Sequence, residues 1–436
     1  MNKTVAIIFG LLFTTFIASC GSGVRVPAGD SPQREPTQIT LSTPLPTLVP
    51  EKTILGTTQQ TLLGNHTVDG SIDLKTATVL NIPIDGEPLW LVSVPFIDGA
   101  LFVAVMDDGV VQAFKISGQD YEPYNISPAQ LPAGMPPLLA VSGDNAQLIL
   151  PPEDASLLTN ALLINDKLAY IATNGDLVVV DSIDETRLSI NALPDARILI
   201  DESNRLLILT QPTKRYDHGV LGDDTEAAGI TLIETEPELR IIRNIPVEDP
   251  DVIEGISAIW ADIDNDDVRD IIVTLSNSQS GARIVAFRED GTLLAESSAL
   301  GTGYRWRHQI AVAAFGSNTQ PALVSIRTPH IGGVVEFFQF NNGKLELVGD
   351  VEGFSSHAIG SRNLDSAIAG DFNNDGISEL LAPDQGHSNL GIISADGIIA
   401  LLPLDGVLTS NISATVVDGN LFVGAGTQGN LRIWAQ

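Results

Sequence analysis

From about Thr53 to the C-terminus, short apolar runs alternate with Asp-Gly, Asn-Gly and Gly-Asn turns. Apolar residues nowhere recur at helical spacing over a useful length. The pattern therefore predicts an all-β domain with almost no helix. The repeated unit is a hairpin of two apolar strands. It is clearest in Asp98-Gly-Ala-Leu-Phe-Val-Ala-Val-Met-Asp-Asp-Gly-Val-Val-Gln-Ala-Phe114 and in Asn165-Asp-Lys-Leu-Ala-Tyr-Ile-Ala-Thr-Asn-Gly-Asp-Leu-Val-Val-Val-Asp181. Asn204–Thr210 with Gly229–Glu234 forms another, and Asp418–Trp434 the last.

A longer period lies over the hairpins in the C-terminal half. Ser257-Ala-Ile-Trp-Ala-Asp262, Ile310-Ala-Val-Ala-Ala-Phe315 and Ser366-Ala-Ile-Ala-Gly-Asp371 align, and Asp262, Phe315 and Asp371 stand 53 and 56 residues apart. A period of roughly 40–60 residues built of strands alone indicates the blades of a β-propeller. The length from Thr53 to Gln436 accommodates about seven four-stranded blades. Too little chain follows the last hairpin for a whole blade, so an N-terminal strand within Thr76–Pro83 is expected to close the ring. An N-terminal β-sandwich followed by three blades is less favoured, because a ring needs closure.

Two loops in this half carry the densest chemistry. Asp262-Ile-Asp-Asn-Asp-Asp-Val-Arg-Asp270 places Asp262, Asp264, Asp266 and Asp270 at positions 1, 3, 5 and 9, with the Val268 carbonyl at position 7. Asp371-Phe-Asn-Asn-Asp-Gly-Ile-Ser-Glu379 repeats the arrangement with Asp371, Asn373, Asp375, Glu379 and the Ile377 carbonyl. Carboxylates so crowded repel one another, and a hard cation with oxygen ligands such as Ca²⁺ removes the repulsion. The flanking runs read as strands, which separates these loops from an EF-hand. The loops resemble the FG-GAP/VCBS repeat, D-x-D-G-D-G-x-x-D. That resemblance implies integrin-like propeller blades over about 256–404 and bound calcium. Asp267 stands where the repeat has a turn glycine, and Glu379 where it has a final Asp. The other reading is two acidic turns without metal. The Phe315 copy has lost its carboxylates and is expected to form a blade without calcium. The first and last hairpins resemble blades of pyrroloquinoline-quinone-type propellers, without identifiable cofactor residues.

The N-terminus adds an address. Met1-Asn-Lys3 is basic, Val5–Ala18 is apolar but short for a membrane span, and Ile17-Ala-Ser-Cys20 resembles the bacterial lipobox. Residues 1–19 are then a signal peptide, and Cys20 is the lipidated first residue of the mature chain. Without Asp after the cysteine, the sorting pattern favours the outer membrane or cell surface. Residues 20–52, rich in Pro, Ser and Thr, read as a tether that cannot bury a core and holds the domain, 53–436, off the membrane.

Composition narrows the partners. The formal net charge is −31 from 54 acidic and 23 basic residues, which disfavours nucleic acid. The same acidity serves solubility. A single cysteine excludes an internal disulfide. Gly424-x-Gly-x-x-Gly429 matches the dinucleotide fingerprint by letter, but a strand follows the glycines instead of the required helix. No Gly-x-Ser-x-Gly, His-Glu-x-x-His or P-loop motif is present.

Blade geometry finally predicts a ligand face. With strands A to D counted outward from the axis, the A–B loops carrying the acidic motifs lie on one face. The loops before A and between B and C lie on the other. Arg305, Trp306, Arg307, His308, His330, His357, Arg362 and His387 all fall on that second face, where they are expected to gather for an anionic or sugar-like ligand; the bland alternative is locally satisfied loop residues. The function expected is a lipid-anchored, calcium-binding propeller that binds a surface protein or glycan. The alternatives are a polysaccharide lyase or hydrolase using Asp384, His387 or His357, and an outer-membrane assembly factor.

Overall fold

The structure, a computed structural model, describes residues 53–317 and 319–436. Cys20, the signal peptide and the tether lie outside the described residues.

Strands and turns account for the regular structure of the described residues, and no helix occurs among them. Six four-stranded antiparallel meanders span 88–124, 162–189, 199–246, 259–296, 307–352 and 368–403. A seventh is built from both ends of the domain. Leu408–Val417, Asn420–Thr427 and Asn430–Ala435 pair in sequence, and Thr78–Pro83 completes the sheet against Asn430–Ala435, from Thr78↔Ala435 to Pro83↔Asn430. This is the closing strand that the sequence pattern predicts. One element is foreign to that pattern: a two-stranded hairpin, Leu139–Ser142 with Asn145–Leu148, stands between the first two meanders.

These meanders are the blades of a β-propeller, and the core lies between them. Strand B of a typical blade is buried on both faces, as in Gly99–Met106 and Asp270–Ser276. Strand D faces solvent, as in Lys344–Glu352 and Gly397–Pro403. This gradient follows from face-to-face stacking, in which inner strands are covered twice and outer strands form protected, polar edges. Ile72, Ile392, Val423 and Trp434 pack one interface and Leu91, Phe102, Phe422 and Ile433 the next, so the apolar core closes on itself. Small residues permit the contact where blades meet: a Cβ on Gly391 would stand 2.2 Å from the Phe354 ring.

The axis is plugged by the start of the domain. Ile54–Gly56 pairs antiparallel with Leu139–Ser142. The chain then bonds inner strands around the ring: Leu62 O accepts from Ile200, Leu63 O from Trp260, and His66 N–H donates to Ile310 while its carbonyl accepts from Ala369. Thr67–Ser71 leaves alongside Ile368–Asp371 in parallel. Ile54 lies opposite Val141 and Gly56 opposite Leu139. The segment therefore starts beside the turn of this hairpin and leaves beside Asp371, where the 371–379 loop begins.

Candidate functional site

The two acidic loops share one hydrogen-bonded frame. Asp262 accepts backbone N–H groups of Asn265 and Asp267, and Asp371 those of Asp375 and Gly376. At position 5, Asp266 caps Val268 N–H and Asp375 caps Ile377 N–H, each at 2.9 Å. At position 9, Asp270 accepts from Ile263 and Glu379 from Phe372. Position 6 is left-handed in both, at φ 65° for Asp267 and 85° for Gly376. The irregular residue at Asp267 is accommodated by an aspartate that tolerates this region.

The loops differ in what neutralises them. Asp262, Asp264 and Asp270 bring carboxylate oxygens within 4.8 Å of one another. Arg288, which follows strand C of the same blade, reaches between them: its guanidinium lies 2.5 Å from Asp264, 2.9 Å from Asp266 and 3.1 Å from Asp270. In the 371–379 loop no described ion pair involves Asp371, Asp375 or Glu379. The Asn373 amide nitrogen lies 3.0 Å from Asp375 and 2.8 Å from Glu379, while its Oδ1 is buried without a partner. Burial, with the like charges of Asp375 and Asp371 behind it, pushes the Glu379 carboxyl up to about 7. Turning the Asn373 amide over presents Oδ1 to the same centre, so this loop fits a calcium ion. Of the expected ligand set of the 262–270 loop, Asp264, Asp266 and Asp270 instead face a guanidinium.

A cleft of about 580 Å³ opens beside the 262–270 loop, lined by Leu63, Asn65, Trp260, Arg205, Arg269 and Glu289 among others. Its cations are satisfied: Arg205 grips Glu289 with both terminal nitrogens, and Arg269 pairs with Glu202. Trp260 is wholly buried and donates to Glu289.

On the opposite face the histidines gather. His330 and His357 have ring centroids 4.4 Å apart, His308 and His357 6.0 Å, and Trp306 stacks on His308 at 4.9 Å. His308 lies within strand A, Arg307–Ala313, instead of before it. His308 Nδ1, His330 Nε2 and His357 Nε2 are buried without protein partners. Burial holds the rings of His308 and His357 well below the usual histidine range, and His330 and His387 below it. Burial thus disfavours the charged form of these imidazoles.

The arginines go elsewhere. Arg307 points into the blade interface and pairs with Glu336 at 2.7 Å, a carboxylate it shares with Arg327. Trp306 and His308 share one side of the strand and Arg307 takes the other, which the two-residue period of a strand dictates. Arg362 bridges Asp195 and Asp223. Arg305 is exposed and donates to the Leu300 carbonyl at 3.3 Å. Arg307→Ala should therefore leave Glu336 as a buried charge with only the half-exposed Arg327, costing roughly 3–5 kcal/mol. Denaturant titration checks this, and an unchanged midpoint would contradict it.

A neighbouring buried group carries no motif in the sequence. His218, from the B–C loop of the 199–246 blade, bonds the buried carboxylate of Glu254, which also accepts from Ser276. Tyr216 and Tyr304 flank its ring at 5.7 and 5.3 Å. Close by, Glu226 is buried and receives Gly255 N–H at 3.2 Å. Burial, aided by the Glu254 charge, raises its pKa well above the usual carboxylate range. The unfolded group ionises above about pH 4.3, while the folded one holds its proton. Its stabilising contribution is complete below that pH and is lost as pH rises through the folded pKa. Glu226→Gln should flatten the fall of melting temperature on the alkaline side and leave the acid side unchanged. Parallel pH profiles would refute the assignment.

The fold thus defines a β-propeller whose axis is plugged by its own N-terminal segment. Among solved structures, quinohemoprotein alcohol dehydrogenase ADHIIG from Pseudomonas putida HK5 is similar at a TM-score of 0.52 and 10% identity, over 87% of this chain and 79% of that one. The quinohemoprotein alcohol dehydrogenase from Comamonas testosteroni gives 0.51 and 10%, over 86% and 79%. BamB from Moraxella catarrhalis gives 0.46 and 15%, over 82% and 98%. At these identities the likeness is one of fold. No protein-family model matches the sequence, and no curated protein does. The resemblance to the FG-GAP/VCBS repeat stays with the two loops.

Proposed function

We propose that the protein is a lipid-anchored binding module of the cell envelope, and that it presents the histidine-bearing face to a protein partner. The observation that carries this reading is the rim of large apolar side chains on that face. Tyr304, Ile331, Ile359 and Val407 are 52, 84, 72 and 56% exposed, and all four stand in loops before strand A or between B and C. They stand on the same face as Trp306, His308, His330 and His357. Clustered exposed apolar residues mark interaction surfaces, and aromatic residues are favoured at their centres. Burial disfavours the charged form of these histidines, and Arg307 and Arg362 are ion-paired, which favours a protein surface over an anionic glycan.

Calcium is proposed at the 371–379 loop, where it fixes the A–B hairpin.

Photo-crosslinking side chains at Ile331 and Ile359 test this reading in cells, with the outer-strand positions Leu293 and Leu347 as controls. The expected result is one defined envelope protein joined to the first pair and absent from the second. Identical products at all four positions, or binding to a glycan array with no protein adduct, would overturn it.

A further inference from the structure

We propose that Arg288 is a built-in counterion that takes the cation position of the 262–270 loop, so that the protein carries one calcium site, at 371–379, and not two. The inference rests on the proposed calcium at the second loop for its count, but its core concerns the first.

The two loops share the backbone hydrogen-bond frame and carry a carboxylate at each of positions 1, 5 and 9. Calcium needs six to eight oxygens at about 2.3–2.6 Å from one centre. In the 262–270 loop that centre is already faced by nitrogen. Nη2 of Arg288 is 2.5 Å from Asp264 Oδ2, and Nη1 is 2.9 Å from Asp266 Oδ2 and 3.1 Å from Asp270 Oδ1. One delocalised guanidinium therefore satisfies positions 3, 5 and 9 together. A tethered cation needs no binding entropy and acts at high effective concentration, whereas calcium would have to expel it.

Strand register explains why only one loop is built this way. Ile271 pairs with Phe287, so Arg288 falls opposite Asp270, one step further along the ladder. In the 368–403 blade Leu380 pairs with Ile393, and the residue opposite Glu379 is Ser394. Serine brings no charge, and its hydroxyl turns to the Gly397 carbonyl. The position-3 residues differ in the same sense. Asp264 is charged and pairs with arginine, while Asn373 is neutral and leaves Oδ1 unpartnered. Each loop has what its own cation requires.

Calcium titration of the full chain by calorimetry, with bound metal counted after equilibrium dialysis, decides the matter. The wild type should bind one ion per chain, Asp375→Asn none, and Arg288→Ala two. Combining Arg288→Ala with Asp375→Asn should restore a count of one, now at the first loop. Asp264→Asn, which leaves Arg288 in place, should change neither count nor affinity, and this arm holds even if Arg288→Ala fails to fold. Two ions in the wild type, a count that stays at one in folded Arg288→Ala, or loss of an ion in Asp264→Asn would overturn the proposal. No ion in the wild type with one in Arg288→Ala would reject calcium at 371–379 while upholding the role of Arg288.

Discussion

Ending the chain after Thr427 should abolish the folded ring. The missing strand, Asn430–Ala435, lies between Thr78–Pro83 and Asn420–Thr427 and pairs with both. Its loss leaves two open edges and uncovers the interfaces on either side. Leu431, Ile433 and Trp434 are each at most 2% exposed, and they divide between two neighbouring core clusters. An unpaired apolar edge is a template for aggregation, so the truncated chain should be recovered unfolded or as high-molecular-weight material in gel filtration. The point version is Trp434→Ala, expected to cost roughly 3–5 kcal/mol through the cavity it creates. Arg432, which covers the same indole from the surface, should cost far less when changed to Ala. A truncated chain that elutes as a folded monomer with an unchanged melting profile would show that the ring does not depend on this closure.

Millimolar calcium should raise the melting temperature, and chelation should lower it. A ligand that binds only the native state adds about 2.7 kcal/mol at 100 times its dissociation constant. The response is assigned to one loop. Asp371, Asp375 and Glu379 stand in the loop between Ile368–Asp371 and Glu379–Pro383, with no ion pair among the described residues. Asp375→Ala should abolish the calcium response. Changes in the 307–352 blade, whose A–B loop begins near Phe315 and lacks carboxylates, should leave it intact. Melting curves that coincide with calcium and with chelator, together with no metal by elemental analysis, would reduce the 371–379 loop to an acidic turn. The calcium response and the ring closure are separable, because the acidic loop sits at the A–B end of one blade while the closing strand seals another.

The fold and its closure were legible because they rest on local signals. Period-2 runs between glycine turns define strands wherever they occur. The 53- and 56-residue spacing of Asp262, Phe315 and Asp371 set the blade register, and the short last hairpin required a strand near Thr78. Two departures escaped for the same reason. The hairpin at Leu139–Ser142 and Asn145–Leu148 breaks the repeat, and the segment from Ile54 to Ser71 crosses the axis, where its neighbours come from six different parts of the chain. No local pattern encodes contacts of that separation.

The candidate sites divide along the same line. Loop parity alone put Trp306, His308, His330 and His357 on one face, and the structure brings their rings together. Arg307 could have been set aside from sequence, since adjacent residues of a strand point to opposite sides. His218 was missed because the 199–246 blade had no register to place its long loop. Sequence also determined the acidic loops, whose ligand atoms follow each other within nine residues. What fills them it could not decide. Arg288 and Ser394 are unremarkable in the chain and become decisive only when strand C is laid beside strand B. A charge separated by 18 residues from Asp270 reaches 3.1 Å from it through the ladder register. The charge state of the histidines was likewise set by tertiary burial, because desolvation depends on everything packed around a ring and not on its neighbours in sequence.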